Sequence, residues 1–174
     1  MVILGQDRTG KTLFSERMEF YEDYKKYNKI SKYVRATLGF EKIILSIKFN
    51  DKLYKFIIFD TSGLDRFEKR NDYYSDMDIV LIFYDALDKD SFERAKSLVM
   101  KYLYDNKKQI CFLIRSKYDL SFNSENNEII SDEEALEFAD KNNLIFTHIS
   151  PLEKYGNGLD DLFDIIFKEY HLRK

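Results

Sequence analysis

At 174 residues, with 28 basic and 31 acidic side chains, the chain has the length for one domain with its own core and lacks the polybasic character of a nucleic-acid binder. No apolar stretch has the length of a membrane-spanning helix, and the single cysteine, Cys111, rules out a disulfide framework and fits a reducing compartment. The expectation is a soluble, cytoplasmic domain with no nucleic-acid partner. Its final residues, His171 to Lys174, offer no cysteine for a lipid, so the expectation is that this chain supplies no direct membrane anchor and that membrane association would need a lipidated tail outside it.

The first apolar run, residues 2–4, leads into Gly5-Gln6-Asp7-Arg8-Thr9-Gly10-Lys11-Thr12, which reads G-x-x-x-x-G-K-T and opens a helix. Glycines let such a loop curl until its N–H groups and the helix N-terminus converge on one anion. Lys11 adds a mobile charge for terminal phosphates, and the Thr12 hydroxyl suits magnesium. Asp7, Arg8, Thr9, Gly10, Lys11, Thr12 and Leu13 are therefore candidate nucleotide contacts.

Two further runs, 43–49 and 53–59, flank Asn50-Asp51 and predict an antiparallel hairpin. The runs at 79–84, 109–114 and 144–149 are nearly continuous in apolar residues, as strands buried on both faces are. Helical patterns separate them. One opens at Asp90 with Glu93 three residues on, one opens at Ser131 with Glu134, and the last runs from about Leu159 to Tyr170. Residues 121–127 read as a surface loop. Alternation of this kind predicts a six-stranded, mostly parallel sheet with one antiparallel strand and about five flanking helices, with ligands beyond the C-terminal strand ends.

Two more motifs follow strands and so fall on that same edge. Asp60-Thr61-Ser62-Gly63 places a carboxylate for a magnesium-bound water three residues before a glycine N–H that can approach a terminal phosphate. Arg115-Ser116-Lys117-Tyr118-Asp119 offers Asp119 as acceptor for the amide and amine of guanine, a donor pair that adenine lacks, and Lys117 as an aliphatic stem along the base. His148 and His171 have no ligand-spaced companions.

Together these motifs resemble the Ras-like small GTPases, most closely the Rab branch, over nearly the whole chain. Thr37-Leu38-Gly39-Phe40-Glu41 resembles T-I-G-V-D, and Phe59 to Gly63 resembles W-D-T-A-G. Tyr73-Tyr74, Tyr84-Asp85 and Asp90-Ser91-Phe92 resemble the Rab Y-Y, Y-D and E-S-F. The resemblance implies a single Rab-like G domain over residues 1–174, a P-loop fold, GTP or GDP bound with Mg²⁺, and a magnesium set of Thr12, Thr37 and Asp60. It also implies effector and regulatory proteins that dock on switch segments near Thr37-Phe40 and Gly63-Tyr74, and a catalytic group of Lys11, Thr37 and the residue at position 64.

The chain departs from that pattern where chemistry is done. Leu64 stands where the family carries its water-positioning glutamine, and leucine has neither donor nor acceptor. Asp7 puts a carboxylate near the γ-phosphate, where Ras has glycine and Rabs commonly serine. Either change is expected to slow hydrolysis. Ser116 shortens the asparagine of N-K-x-D. Ser150-Pro151-Leu152 resembles the S-A-K or S-A-L motif but lacks the central N–H at Pro151; an alternative register, Leu152-Glu153-Lys154, retains one at Glu153. The segment between Thr12 and Thr37 is longer than in Rabs, rich in tyrosine and lysine over residues 21–33, and reads as a lengthened, solvated first helix, with a dedicated partner site as the alternative.

Overall fold

The computed structural model describes residues 1–19, 40–63, 77–85, 87–102, 108–117, 119, 130–150 and 158–173. Strands run β1 Val2–Gly5, β2 Phe40–Phe49, β3 Lys52–Thr61, β4 Ile79–Asp85, β5 Ile110–Ser116 and β6 Ile145–His148. Helices are α1 Lys11–Glu19, α2 Lys89–Tyr102, α3 Asp132–Lys141 and α4 Leu159–Leu172, four among the described residues where about five were expected. The expected loop at 121–127 and the end of the first helix lie outside the described residues.

All six strands join one sheet in the order β2-β3-β1-β4-β5-β6. Only β2 is antiparallel to its neighbour, and its hairpin with β3 pairs Phe49 with Lys52 across Asn50 and Asp51. Both turn residues have positive φ, 48° and 61°. That is the two-residue turn whose twist matches the strands, and asparagine and aspartate tolerate it well.

The nearly all-apolar strands serve two cores at once because successive side chains point to opposite faces. Ile3, Leu81, Phe83, Phe112 and Ile114 pack with Phe14 and Met18 of α1 and Leu162, Phe163 and Phe167 of α4. Their strand neighbours Val2, Leu4, Ile82, Tyr84 and Leu113 pack with Phe92, Ala95 and Leu98 of α2 and Ala135 and Ala139 of α3. The sheet is thus the middle of three layers, and the C-terminal ends of its five parallel strands share one edge.

Helix starts explain how the loops on that edge are fixed. Ser131 caps α3, its Oγ accepting the Glu134 N–H at 3.1 Å, in line with the sequence pattern. Helix α2 begins one residue before Asp90, and its cap is Asp88: Oδ1 accepts the N–H groups of Asp90 (3.0 Å) and Ser91 (3.3 Å). Three aspartates compete within Asp85 to Asp90, and the strand end at Asp85 decides which of them reaches the first turn.

Candidate functional site

Strand β1 ends on Gly5, whose backbone lies so close to β4 that an added Cβ would sit 2.4 Å from the Phe83 carbonyl. The chain then curls through residues 6–10 into α1. Inside the curl, Thr9 Oγ1 donates to the Gln6 carbonyl at 2.8 Å. The first intrahelical bond of α1 runs from Phe14 N–H to Gly10 carbonyl (2.9 Å), so the N–H groups of the preceding turn project from the helix start into the curl. Lys11 is buried at 5% exposure, and its Nζ donates to the Gly5 and Gln6 carbonyls at 2.9 and 2.6 Å. Burial pushes this ammonium down to about 8, against the opposing pull of the Asp60 and Asp7 carboxylates.

Asp7 and Arg8 form the outer lip of the loop. Their side chains are 48% and 93% exposed, with Arg8 Nε 4.0 Å from Asp7 Oδ2. Arg8 holds φ 62°, the left-handed region that costs a non-glycine residue about 1–2 kcal/mol.

Strand β3 delivers the second element. Asp60 is fully buried and pairs in register with Ile3 of β1, while Thr61 Oγ1 donates to the Ile3 carbonyl at 2.7 Å. Two residues on, Gly63 presses against the phosphate loop. A Cβ there would lie 2.0 Å from Asp7 N, 2.3 Å from Gln6 C and 2.5 Å from Asp7 Cα. Only glycine permits that approach.

Among the described residues no three His, Cys, Asp or Glu side chains group to hold a metal. The oxygens present, the Asp60 carboxylate and the Thr12 hydroxyl, suit magnesium, which takes one or two carboxylates, water and substrate phosphate and seldom an all-protein cage. Thr37, the remaining expected ligand, lies outside the described residues, as does Leu64.

The third element comes from β4, β5 and β6. Ser116 ends β5, fully buried, and its Oγ donates to the Tyr84 carbonyl at 2.8 Å. It adjoins the phosphate loop, since a Cβ on Gly10 would stand 3.9 Å from Ser116 Cβ. Lys117 turns the chain with φ 54°, and its Nζ pairs with Asp85 Oδ2 at the end of β4. Asp119 N–H donates to Ser150 Oγ at 3.0 Å, which ties the loop after β5 to the loop after β6. Ile149 N–H bonds the Arg115 carbonyl at 2.8 Å in the same junction. Pro151 and the alternative motif at 152–154 lie outside the described residues.

The expected residues from Asp7 to Leu13, with Asp60, Gly63, Ser116, Lys117, Asp119 and Ser150, are thus gathered along one sheet edge. A Ras family model matches residues 1–171. The chain belongs to the Ras family. Within it the chain stands close to Rab proteins. It is 28% identical to Ras-related protein RABG3b of Arabidopsis thaliana, covering 97% of this chain and 81% of that one. It is 37% identical over 134 residues to Ras-related protein Rab-2B of Dictyostelium discoideum, covering 74% and 61% of the two chains. It is 26% identical to Intraflagellar transport protein 27 homolog of Trypanosoma brucei brucei, covering 98% and 88%. The chain is a Rab-like small GTPase, and members of the Ras family bind GTP and GDP with magnesium and engage effectors and regulators. No helix of the described residues is long and apolar enough to cross a membrane. Sequence reasoning missed one polar partner in this GTPase site, the Asp85 carboxylate. Its signal was an acid closing an apolar strand next to the strand that carries Ser116 and Lys117.

Proposed function

We propose that this Rab-like GTPase holds guanine nucleotide with magnesium and hydrolyses GTP very slowly, acting as a long-lived cytoplasmic switch in vesicle trafficking or signalling. The observation that carries the reading is the backbone contact of Gly63 with Gln6 and Asp7. It brings the Asp7 backbone against Gly63, and Leu64 is the next residue in sequence.

In this reading the curl from Asp7 to Leu13 and the Lys11 ammonium bind the phosphates, since charge-assisted bonds of this kind are the strong ones. Thr12, Thr37 and Asp60 would hold the magnesium, which neutralises phosphate charge when bound. Gly63 N–H contacts the terminal phosphate, and Asp119 accepts from guanine with Lys117 along the ring and Ser150 bracing the loop. Pro151 removes one further donor to the base. Hydrolysis needs an oriented water and room for a stabilising cation. Leu64 withholds the first and Asp7 crowds the second. Partners read the segments Thr37-Phe40 and Gly63-Tyr74. The printed names of the relatives, Rab proteins and an intraflagellar transport protein, favour a trafficking role.

The half-exposed Asp7 carboxylate beside the loop also favours a second reading, a module that holds nucleotide without turnover and presents fixed switch surfaces. Single-turnover hydrolysis separates the two. For the slow switch, GTP disappears measurably over hours, Leu64→Gln accelerates it, and Asp7→Gly added to that variant accelerates it again. Wild-type turnover as fast as that of Leu64→Gln refutes the mechanism. No turnover in wild type together with none in the double variant establishes the fixed module.

A further inference from the structure

The turn between β4 and α2 is built with more care than a connection requires. Ser91 is fully buried; its Oγ accepts the Asp85 N–H at 2.8 Å and donates to the Asp88 carbonyl at 2.7 Å. Within that frame the Asp85 carboxylate is engaged by both oxygens. Oδ1 accepts the Leu87 N–H at 2.9 Å, and Oδ2 accepts from Lys117 Nζ. The carboxylate is thus held by a backbone partner independent of the lysine. Strand register sets Asp85 directly beside Ser116, so Lys117 is the first residue past the paired segment. With side-chain exposures of 12% and 32%, the pair is shielded enough to resist much of the screening that weakens surface pairs.

A lysine stem loses rotamer freedom when it settles along a flat ring, and that loss weakens binding. A stem whose ammonium is already anchored has lost the freedom on folding and presents its methylenes as a ready apolar wall. We propose that Asp85 is a positioning residue for the nucleotide base, anchoring the Lys117 ammonium so that the Lys117 stem is preorganised against the purine face. The same turn reaches the phosphate end, since Gln6 Nε2 donates to Asp88 Oδ2 at 3.5 Å. Base loop and phosphate loop are therefore braced by one segment. This inference rests on the guanine-nucleotide reading above.

The test is a two-by-two cycle of Asp85→Asn and Lys117→Met in the full chain, read as dissociation of fluorescent GDP and as melting temperature without nucleotide. Asparagine keeps an oxygen for the Leu87 N–H but removes the charge; methionine keeps an unbranched stem without the ammonium. Asp85→Asn should speed dissociation about tenfold, within the range of coupled neighbours, and should add nothing in the Lys117→Met background. Equal acceleration in both backgrounds, with an equal drop in melting temperature, assigns Asp85 to the fold and overturns the proposal, as does an Asp85→Asn chain that fails to fold while Lys117→Met folds. An unchanged dissociation rate also overturns it while leaving guanine binding in place. A wild-type chain that binds no GDP overturns both readings.

Discussion

Replacing Gly63 by alanine probes the joint on which the slow-switch reading depends. Gly63 does not have positive φ, so alanine carries no dihedral penalty there and the whole effect comes from contact. The new methyl group would stand 2.0 Å from Asp7 N, and ordinary contact begins at 3.4 Å, so the two segments must part by about 1.4 Å. The clashing atoms are all backbone, so no rotamer change relieves them. Overpacking of this kind costs about 1–3 kcal/mol, which for a domain of this size lowers the melting temperature by roughly 2–12 °C. The separation also pulls the Gly63 N–H away from a terminal phosphate, and losing a hydrogen bond to a charged group costs about 1.5–3 kcal/mol. GTP affinity should therefore fall at least about tenfold relative to GDP, which has no third phosphate to lose. Thermal melts and titration calorimetry with each nucleotide measure both effects. Trimming the neighbouring side chain in Asp7→Gly/Gly63→Ala should rescue nothing, because Asp7 N and Cα remain. Wild-type melting and an unchanged GTP-to-GDP ratio in Gly63→Ala would refute the reasoning, and so would rescue by Asp7→Gly.

Three more outcomes follow from the geometry. Ser116→Asn should tighten GDP binding about tenfold, because the serine hydroxyl is spent on the Tyr84 carbonyl while the longer amide can reach the phosphate loop beside Gly10; unchanged affinity in calorimetry counts against this. Arg8→Gly should raise the nucleotide-free melting temperature by about 2–4 °C, the left-handed strain relieved less the entropy glycine adds; a lowered value shows that the arginine stabilises the loop. Burial pushes the Cys111 thiol up to about 11 from 9.0, so near pH 8 alkylation of the folded chain should run at least about a hundredfold slower than in denaturant. An acid whose folded value is raised stabilises the fold below the unfolded value, and that contribution is lost as pH climbs from about 9 to about 11. Equal labelling rates folded and unfolded would refute the burial.

Much of this arrangement was legible because local chemistry and the global fold agree. Gly5, Gly10 and Lys11 stand at phosphate-loop spacing between an apolar run and a helical pattern, and Asn50-Asp51 between apolar runs announces its hairpin. Ser131 and Glu134 mark their helix start for the same reason. What stayed hidden were contacts between segments distant in sequence. Nothing near Asp85 names Lys117, whose partner is chosen by strand order, and the Gly63 approach to Asp7 depends on β3 lying beside β1. The Asp88 cap was obscured by Asp90, an equally suitable residue two positions later. The roles of Thr37, Leu64 and Pro151 rest on the sequence pattern, since these residues lie outside those described.

Strand β2 lies at an edge of the sheet, with a row of backbone groups that no other strand among the described residues pairs, and the aromatic residues of its hairpin meet the C-terminal helix. Phe49 stacks on Phe167 at 4.1 Å, Phe56 meets Phe163 and Phe167 edge-on, and Tyr54 adds a 2.8 Å hydrogen bond to His171. Helix α4 is therefore a cover as well as a core element. Shortening the chain before Phe163 would uncover Phe49, Tyr54 and Phe56 on one face of the hairpin whose outer strand is the sheet edge, a combination that favours cross-strand aggregation. The last helix covers the aromatic face beside that edge, and its length sets how much of the face is covered.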